Sequence, residues 1–404
     1  MSAAASCSDQ APAAWPARAD NERVRVCVSL PFARQLLTGT TDYFGGAEVR
    51  GATFVFGLAR DPTFDIHVVV RGAGWEPLMR SDGITVHCRP EVPFYEGHHD
   101  DAVRSVWGVI DADVYVAFGA NEATAELARF CKAHGSAFVL FVASDCAFDA
   151  LVYEGSLQAD AYGVPGHYAW YALHNAHAVA VQTERQQLLF RELEGREATL
   201  IRNPALSTVR EPARLAPQYG GRMLWVGRVD PNKRHDEALM LARALPHRPM
   251  IMVCNNLPAL GETARDDLQR ALPNLMLADQ VALPDMDALF RFSDVVVNTS
   301  VVEGFPNTFL QAGMFGIPIV SMAVDPDRML SRHGCGRVAD GTRDGLARAV
   351  EGLLTSPTEY ASAAAASARW IRERHDTGER VAELAAVIHH AAISRTRREL
   401  HRVR

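Results

Sequence analysis

Glu303 stands immediately before Gly304-Phe305-Pro306, inside a stretch (296–320) that reads as a buried strand, a short loop, a helix and a second buried strand. Pro306 suits the first helical position, where its missing N–H costs nothing. A loop feeding a helix start leaves backbone N–H groups directed at whatever lies ahead, a place suited to phosphate or another anion. A carboxylate there calls for a polyhydroxylated or cationic partner. Gln311 follows two helical turns later. Its amide can hydrogen-bond a neutral group such as a ribose hydroxyl, or serve only as a polar helix residue.

Three other segments carry usable chemistry. A strand ends at Gly227, and Arg228 and Lys233 follow in the loop Arg228-Val229-Asp230-Pro231-Asn232-Lys233. Arginine offers a planar fork and lysine a point charge, so together they can hold a diphosphate; surface salt bridging is the plainer alternative. Gly45-Gly46-Ala47-Glu48 opens a helix after the first strand, where glycines allow close backbone approach to a ligand or simply shape a turn. Asp145 in Ala143-Ser144-Asp145 can accept a proton or orient a hydroxyl, with capping of the next helix as the rival role.

Other patterns carry less. Gly334-Cys335-Gly336-Arg337-Val338-Ala339 has dinucleotide-like glycine spacing, but no strong strand precedes it and no clear helix opens from it. His98-His99-Asp100-Asp101 places its side chains side by side, which rarely converge on one ion, so no metal site is expected.

The elements that must position these residues alternate. Apolar strands at 24–30, 66–70, 84–88, 114–118, 137–142 and 198–201 are separated by helices at 45–60, 101–110, 123–134 and 183–194. Residues 205–221 have loop chemistry and read as a linker. Strands then resume at 223–226, 250–254, 295–298 and 317–322, with helices near 235–245, 262–272, 286–292 and 306–316. Such alternation predicts two α/β units with parallel sheets, Rossmann-like, facing a cleft at their strand C-terminal ends. The expected divisions are a disordered leader at 1–22, domains at 23–205 and 206–375, and a final segment at 376–404 ending in a basic tail.

Bulk properties fit a soluble globular chain: 48% hydrophobic and 22% charged residues over 404 positions. A net charge of -7 gives no global signal for nucleic acid. The Arg-rich end 395–404 reads as a solvated helix end, or as a peripheral contact with an anionic membrane surface. Seven scattered cysteines without a CxxC argue for reduced thiols in a cytoplasmic protein.

The segments GGAE (45–48), NP (203–204), VGRVDPNK (226–233) and above all NTSVVEGFPNTFLQAGMFGIPIVS (298–321) resemble the retaining GT-B glycosyltransferases that use nucleotide-sugar donors. The resemblance spans roughly 23–390 and is most specific in the second half. It implies that Arg228 and Lys233 grip the donor diphosphate after Gly227, and that Glu303 holds the transferred sugar. Backbone N–H groups of Gly304, Phe305, Pro306's neighbour Asn307 and the loop would meet sugar and phosphate, and Gly45 and Gly46 would close from the other domain. The last helix would cross back to the first domain. The family commonly has a second glutamate where this chain has Gln311, and often a histidine where it has Ser144. The resemblance further implies retention without a metal or separate cofactor, a nucleoside diphosphate sugar as co-substrate, and a polysaccharide, lipid-linked or small glycoside acceptor. A nucleotide-sugar epimerase of the same fold and a non-catalytic nucleotide-binding relative are the alternatives.

Overall fold

The computed structural model describes residues 23–38, 45–72, 78–79, 82–89, 106–205 and 209–402. The leader at 1–22, the His98–Asp101 run, the first half of the helix expected at 101–110 and the side chains of the Arg-rich end lie outside the described residues.

Long apolar strands without alternation, such as Ala137–Phe141, are buried along their whole length, which requires helices on both faces of a parallel sheet. The first half supplies β1 (Val24–Ser29), α1 (Arg34–Thr38), α2 (Gly46–Leu58), β2 (Phe64–Arg71), β3 (Leu78–Met79), β4 (Ile84–Arg89) and α3 (106–110). It continues with β5 (Val114–Phe118), α4 (Glu122–His134), β6 (Ala137–Phe141), α5 (Gly166–Asn175), β7 (Ala178–Val181), α6 (Glu184–Glu194) and β8 (Thr199–Leu200). These strands form one sheet in the order β3-β4-β2-β1-β5-β6-β7-β8, parallel except for the short edge strand β3.

The second half supplies β9 (Met223–Gly227), α7 (His235–Ala244), β10 (Met250–Cys254), α8 (Glu262–Ala271), β11 (Leu275–Ala278) and α9 (Leu283–Arg291). Then come β12 (Val295–Asn298), α10 (Asn307–Met314), β13 (Ile319–Ser321), β14 (Gly336–Val338), α11 (Arg343–Leu354), α12 (Pro357–Arg374) and α13 (Thr377–Arg402). Its sheet runs β11-β10-β9-β12-β13-β14 and is parallel throughout. In both sheets the strand order reverses beside the first strand of the unit, at β1/β5 and at β9/β12. Ligands collect at such switch points.

Several elements depart from the sequence expectation, β11, β14 and α5 among them. β14 lies within the 334–339 glycine segment, and β11 is a second strand at a place where the sequence expectation set none. Both are short edge strands that never reach full burial along their length, so neither has a strong apolar signature. α5 carries Trp170 and Tyr171 among small residues, without a clean apolar stripe. The segment read as a linker is only partly one, because 211–222 is already bound to the second domain. There Glu211 N–H donates to the Met314 carbonyl at 2.8 Å, and Gln218 N–H to Asp294 at 2.7 Å.

The chain crosses between domains twice. α13 returns to the first domain, where Leu384, Ile388 and Ala391 are buried with Val26, Phe54 and Phe141. The two crossings are tied to each other: His375 Nδ1 pairs with the Asn203 carbonyl at 2.7 Å, and Ala205 N–H donates to the His375 carbonyl at 3.1 Å. The Thr377 hydroxyl donates to the Ala205 carbonyl at 3.0 Å.

His375 is fully buried beside Arg202, Arg374 and Arg380, and burial with those cations pushes its pKa down to about 3. The unfolded chain therefore takes up a proton on this group first, near its ordinary value of about 6.5. Its stabilising contribution is complete above that value and is lost as pH falls toward 3. The unfolding midpoint is expected to drop between pH 7 and 5, and His375→Gln should flatten that part of the profile. An unchanged slope in the variant would assign the acid sensitivity to other groups.

Candidate active site

A cleft of about 470 Å³ lies between the two switch points, within the range of small-molecule sites. Its walls include Gly45, Gly46 and Glu48 at the start of α2, and Phe118 and Gly119 at the end of β5. Across from them stand Gly227 at the end of β9 with Arg228 and Lys233 after it, and Glu303 and Phe305 to Thr308 at the start of α10, with Gln311 one turn further in; Gly304 is not on the wall.

Lys233 and Glu303 form an ion pair at the centre, with side chains 25% and 12% exposed. The loop carrying Lys233 is built to hold it. Lys233 N–H donates to Asp230 Oδ1 at 2.8 Å, and the Thr299 hydroxyl donates to the Lys233 carbonyl at 2.6 Å. Arg234 next to it takes a left-handed backbone (φ 49°), a strained conformation for arginine. Asn232 is buried and binds the Glu303 loop, accepting from Val302 N–H at 3.1 Å and donating to the Val302 carbonyl at 3.0 Å. Arg228 is half exposed, and its Nε lies 3.7 Å from Asp230.

Pro306 caps α10 (φ -63°, ψ 129°) and Asn307 is its first helical residue, one position later than the sequence suggested. The free first-turn N–H groups of α10 therefore open at Asn307 and Thr308, both on the cleft wall. Gln311 is buried and lines the cleft behind them.

The second domain's loop is pressed against the first. Asn307 Nδ2 donates to the Gly46 carbonyl at 2.9 Å, and Phe305 N–H donates to Gln182 Oε1 at 3.3 Å. Asn203 Nδ2 donates to the Phe305 carbonyl at 3.2 Å. A Cβ on Gly304 would come within 2.7 Å of the Ala143 carbonyl and 2.9 Å of Gln186 Nε2, and closer still to Gln182 Nε2. Gly304→Ala is therefore expected to part the domains at this point, costing about 1–3 kcal/mol and lowering turnover. Thermal melts and activity measured together check this; a variant equal to wild type in both would show that the contact is dispensable.

The sequence-derived residues are not all brought together. Asp145 is absent from the cleft wall. Its carboxylate accepts from Gln186 Nε2 at 2.9 Å and lies 3.3 Å from Arg185 Nε, both on α6. Burial pushes its pKa up against those partners. Asp145 thus joins α6 to the loop after β6, while Ser144 caps the short turn that follows, its Oγ accepting from Cys146 N–H at 3.3 Å. A catalytic role for Asp145 finds no geometric support.

Residues the sequence did not single out complete the wall. Tyr162 and Asp160, from the loop between β6 and α5, line the cleft with Asn255, Val281 and Met286. Asn232 Nδ2 donates to the Tyr162 hydroxyl at 3.0 Å, joining the two domains. Burial and the charge of Glu303 push the Tyr162 pKa far up, so its hydroxyl remains a donor. Asp160 Oδ1 fixes the loop by accepting from Tyr162 N–H at 2.8 Å and Val164 N–H at 3.0 Å.

Residues 220–356, nearly the whole second domain, match the family described as glycosyl transferases group 1. A sucrose-phosphate synthase from Thermosynechococcus elongatus superposes with a TM-score of 0.70 at 12% identity, covering 92% of this chain and 100% of that one. Anabaena HepE, solved in complex with UDP-glucose, superposes with a TM-score of 0.67 at 17% identity, covering 90% of this chain and 100% of the other. The fold is GT-B. A putative UDP-N-acetylglucosamine 2-epimerase from Listeria monocytogenes shares it, with a TM-score of 0.61 at 12% identity, covering 91% of this chain and 96% of that chain. No curated protein sequence matches the chain. The GT-B cleft is the space just described, and the second domain contributes Arg228, Lys233 and the Glu303 loop to it.

Proposed function

We propose that the protein transfers a sugar from a nucleoside diphosphate sugar to a hydroxyl acceptor, with retention at the anomeric carbon. The Lys233–Glu303 pair at the start of α10, with Arg228 beside it, carries this reading. In such a transfer the bond from the anomeric carbon to the diphosphate breaks through an oxocarbenium-like state, and negative charge builds on the leaving group. Lys233, Arg228 and the α10 N-terminus would stabilise that charge where it develops. Glu303 would accept hydrogen bonds from the moving sugar, and Gln311 would meet the ribose. Val226, Val281 and Met286 give the cleft an apolar flank suited to a base.

A new bond then forms from the acceptor oxygen to the anomeric carbon on the face the diphosphate leaves. The acceptor proton goes to a departing phosphate oxygen, so no protein base is required and the absence of Asp145 from the cleft is no obstacle. Side-chain cations supply the charge that a divalent metal would otherwise bring, and the reaction is proposed to be metal-independent. The acceptor, a glycan, lipid-linked glycan or small glycoside, would enter from the first domain past Asp160 and Tyr162. A lipid-linked acceptor would bring the Arg-rich end against a membrane surface. No described helix is long and apolar enough to cross a membrane.

The fold shared with an epimerase favours one second reading. Incubating the protein with UDP-, GDP- and ADP-sugars, with and without a glycan acceptor mixture, separates the two. A transferase releases the diphosphate in step with acceptor glycosylation, and the product keeps the donor's anomeric configuration. Equal release without acceptor, together with an epimerised sugar, would replace transfer by epimerisation.

A further inference from the structure

Arg50 is the cationic residue of the cleft that the proposed reaction leaves unused. It lies in the second turn of α2, is only 3% exposed, and lines the cleft from the first domain. Its guanidinium lies over the Phe141 ring, 4.7 Å from the centroid, and near Phe118 at 5.5 Å. Those are the last residues of β6 and β5. Nη1 donates to Asn203 Oδ1 at 3.2 Å. Nε and Nη2 are shut off from solvent without a hydrogen-bond partner. The neighbouring acid, Glu48, uses Oε2 to accept from Gly45 N–H at 3.1 Å, and none of the ion pairs among the described residues includes Arg50.

This arrangement is costly for packing alone. Each unmet buried donor gives up its water without a replacement partner. Methionine or leucine would cover the same two rings without that cost. Burial pushes the Arg50 pKa down to about 9, which leaves it charged at neutral pH. Two aromatic faces and one amide therefore hold a charged fork in place with donor capacity to spare. Asn203 also donates to the Phe305 carbonyl at 3.2 Å, so Arg50 is one residue removed from the Glu303 loop.

We propose that Arg50 is an anion-holding residue of the first domain, taking a phosphate or carboxylate oxygen of a substrate in the cleft, opposite Arg228 and Lys233. The inference rests on the cleft being the substrate site. Two sources supply that chemistry: the donor's diphosphate and an anionic group on the acceptor. A desolvated guanidinium fork suits either.

Calorimetric titration of wild type and Arg50→Met distinguishes them. The ligands are UDP, GDP, ADP and inorganic pyrophosphate, followed by glucose 6-phosphate and glucuronate on protein saturated with its preferred nucleotide. At least tenfold weaker nucleotide and pyrophosphate binding in the variant, at equal or higher melting temperature, assigns Arg50 to the donor. Unchanged nucleotide binding with loss of glucose 6-phosphate or glucuronate binding assigns it to an anionic acceptor. Wild-type affinities throughout, or a wild type that takes only nucleotide and a variant that takes it equally well, overturn the inference. Arg50→Lys, which keeps the charge without the fork, gives the same reading if the methionine variant does not fold, with a smaller loss expected. A wild type that binds no nucleoside diphosphate fails the functional reading itself.

Discussion

Lys233→Met is expected to lower kcat for sugar transfer by about 10²–10³-fold, the scale of removing one preorganised group that stabilises developing charge. The substitution removes one of the two cations proposed to meet the leaving group. It also strips Glu303 of its partner, leaving a largely buried carboxylate beside the incoming diphosphate. The two losses compound, because repulsion between Glu303 and the donor then opposes binding as well. The fold should survive: Lys233 is tied into its loop by its backbone N–H to Asp230 and its carbonyl to Thr299, both of which methionine retains. The comparison is kcat and KM for the donor with a melting curve as control. A variant within threefold of wild type would remove Lys233 from the proposed chemistry.

Asp294→Asn is expected to destabilise the second domain by about 3–5 kcal/mol, the scale of breaking a buried, hydrogen-bonded charge. Asp294 is fully buried immediately before β12 and gathers the segment that leads into β9. Its carboxylate accepts from the backbone N–H groups of Gln218, Tyr219, Gly221 and Arg222 at 2.7, 2.8, 2.9 and 3.0 Å. Arg214, also nearly buried, reaches the same carboxylate at 3.4 Å. Asparagine would set an N–H₂ group against at least one of these donors, whichever way its amide turns. It would also leave the Arg214 guanidinium without a counter-ion. For a domain of this size the melting midpoint should fall by roughly 6–20 °C. A shift within 2 °C would mean that the hub is redundant with Tyr360, whose hydroxyl donates to the Asp294 carbonyl at 2.8 Å.

Much of the cleft's second-domain wall was legible in the sequence because its parts are contiguous. Glu303, the glycine and the proline sit within four residues of one another, next to a helix start. Arg228 and Lys233 follow a strand end in a single loop. The parallel, two-unit fold was equally legible, since fully buried strands alternating with helices admit few other arrangements. Residues whose roles arise from packing across the chain were not. Tyr162 meets Asn232, and Asn203 meets the loop of Phe305, across long stretches of sequence that no local pattern connects.

Asp145 shows the converse. A carboxylate at a strand's C-terminal end is well placed by sequence logic, yet its rotamer is decided by Arg185 and Gln186 on a later helix. Arg50 did leave a trace. It shares a helical face with Phe54 and Leu58, both essentially unexposed, so a charge stands where the pattern demands an apolar residue. Such a violation of the pattern is the kind of place where a functional or strained site is expected.

The central claim is that this cleft holds a nucleoside diphosphate through Arg228 and Lys233. Thermal unfolding with UDP, GDP, ADP, CMP and NAD, for wild type and Arg228→Ala, tests it most directly. A ligand at about 100 times its dissociation constant adds roughly 2.7 kcal/mol to the state that binds it, a readable shift. The account predicts stabilisation by one nucleoside diphosphate, much reduced in the variant. A flat response to all three diphosphates, or a response to NAD alone, would contradict it.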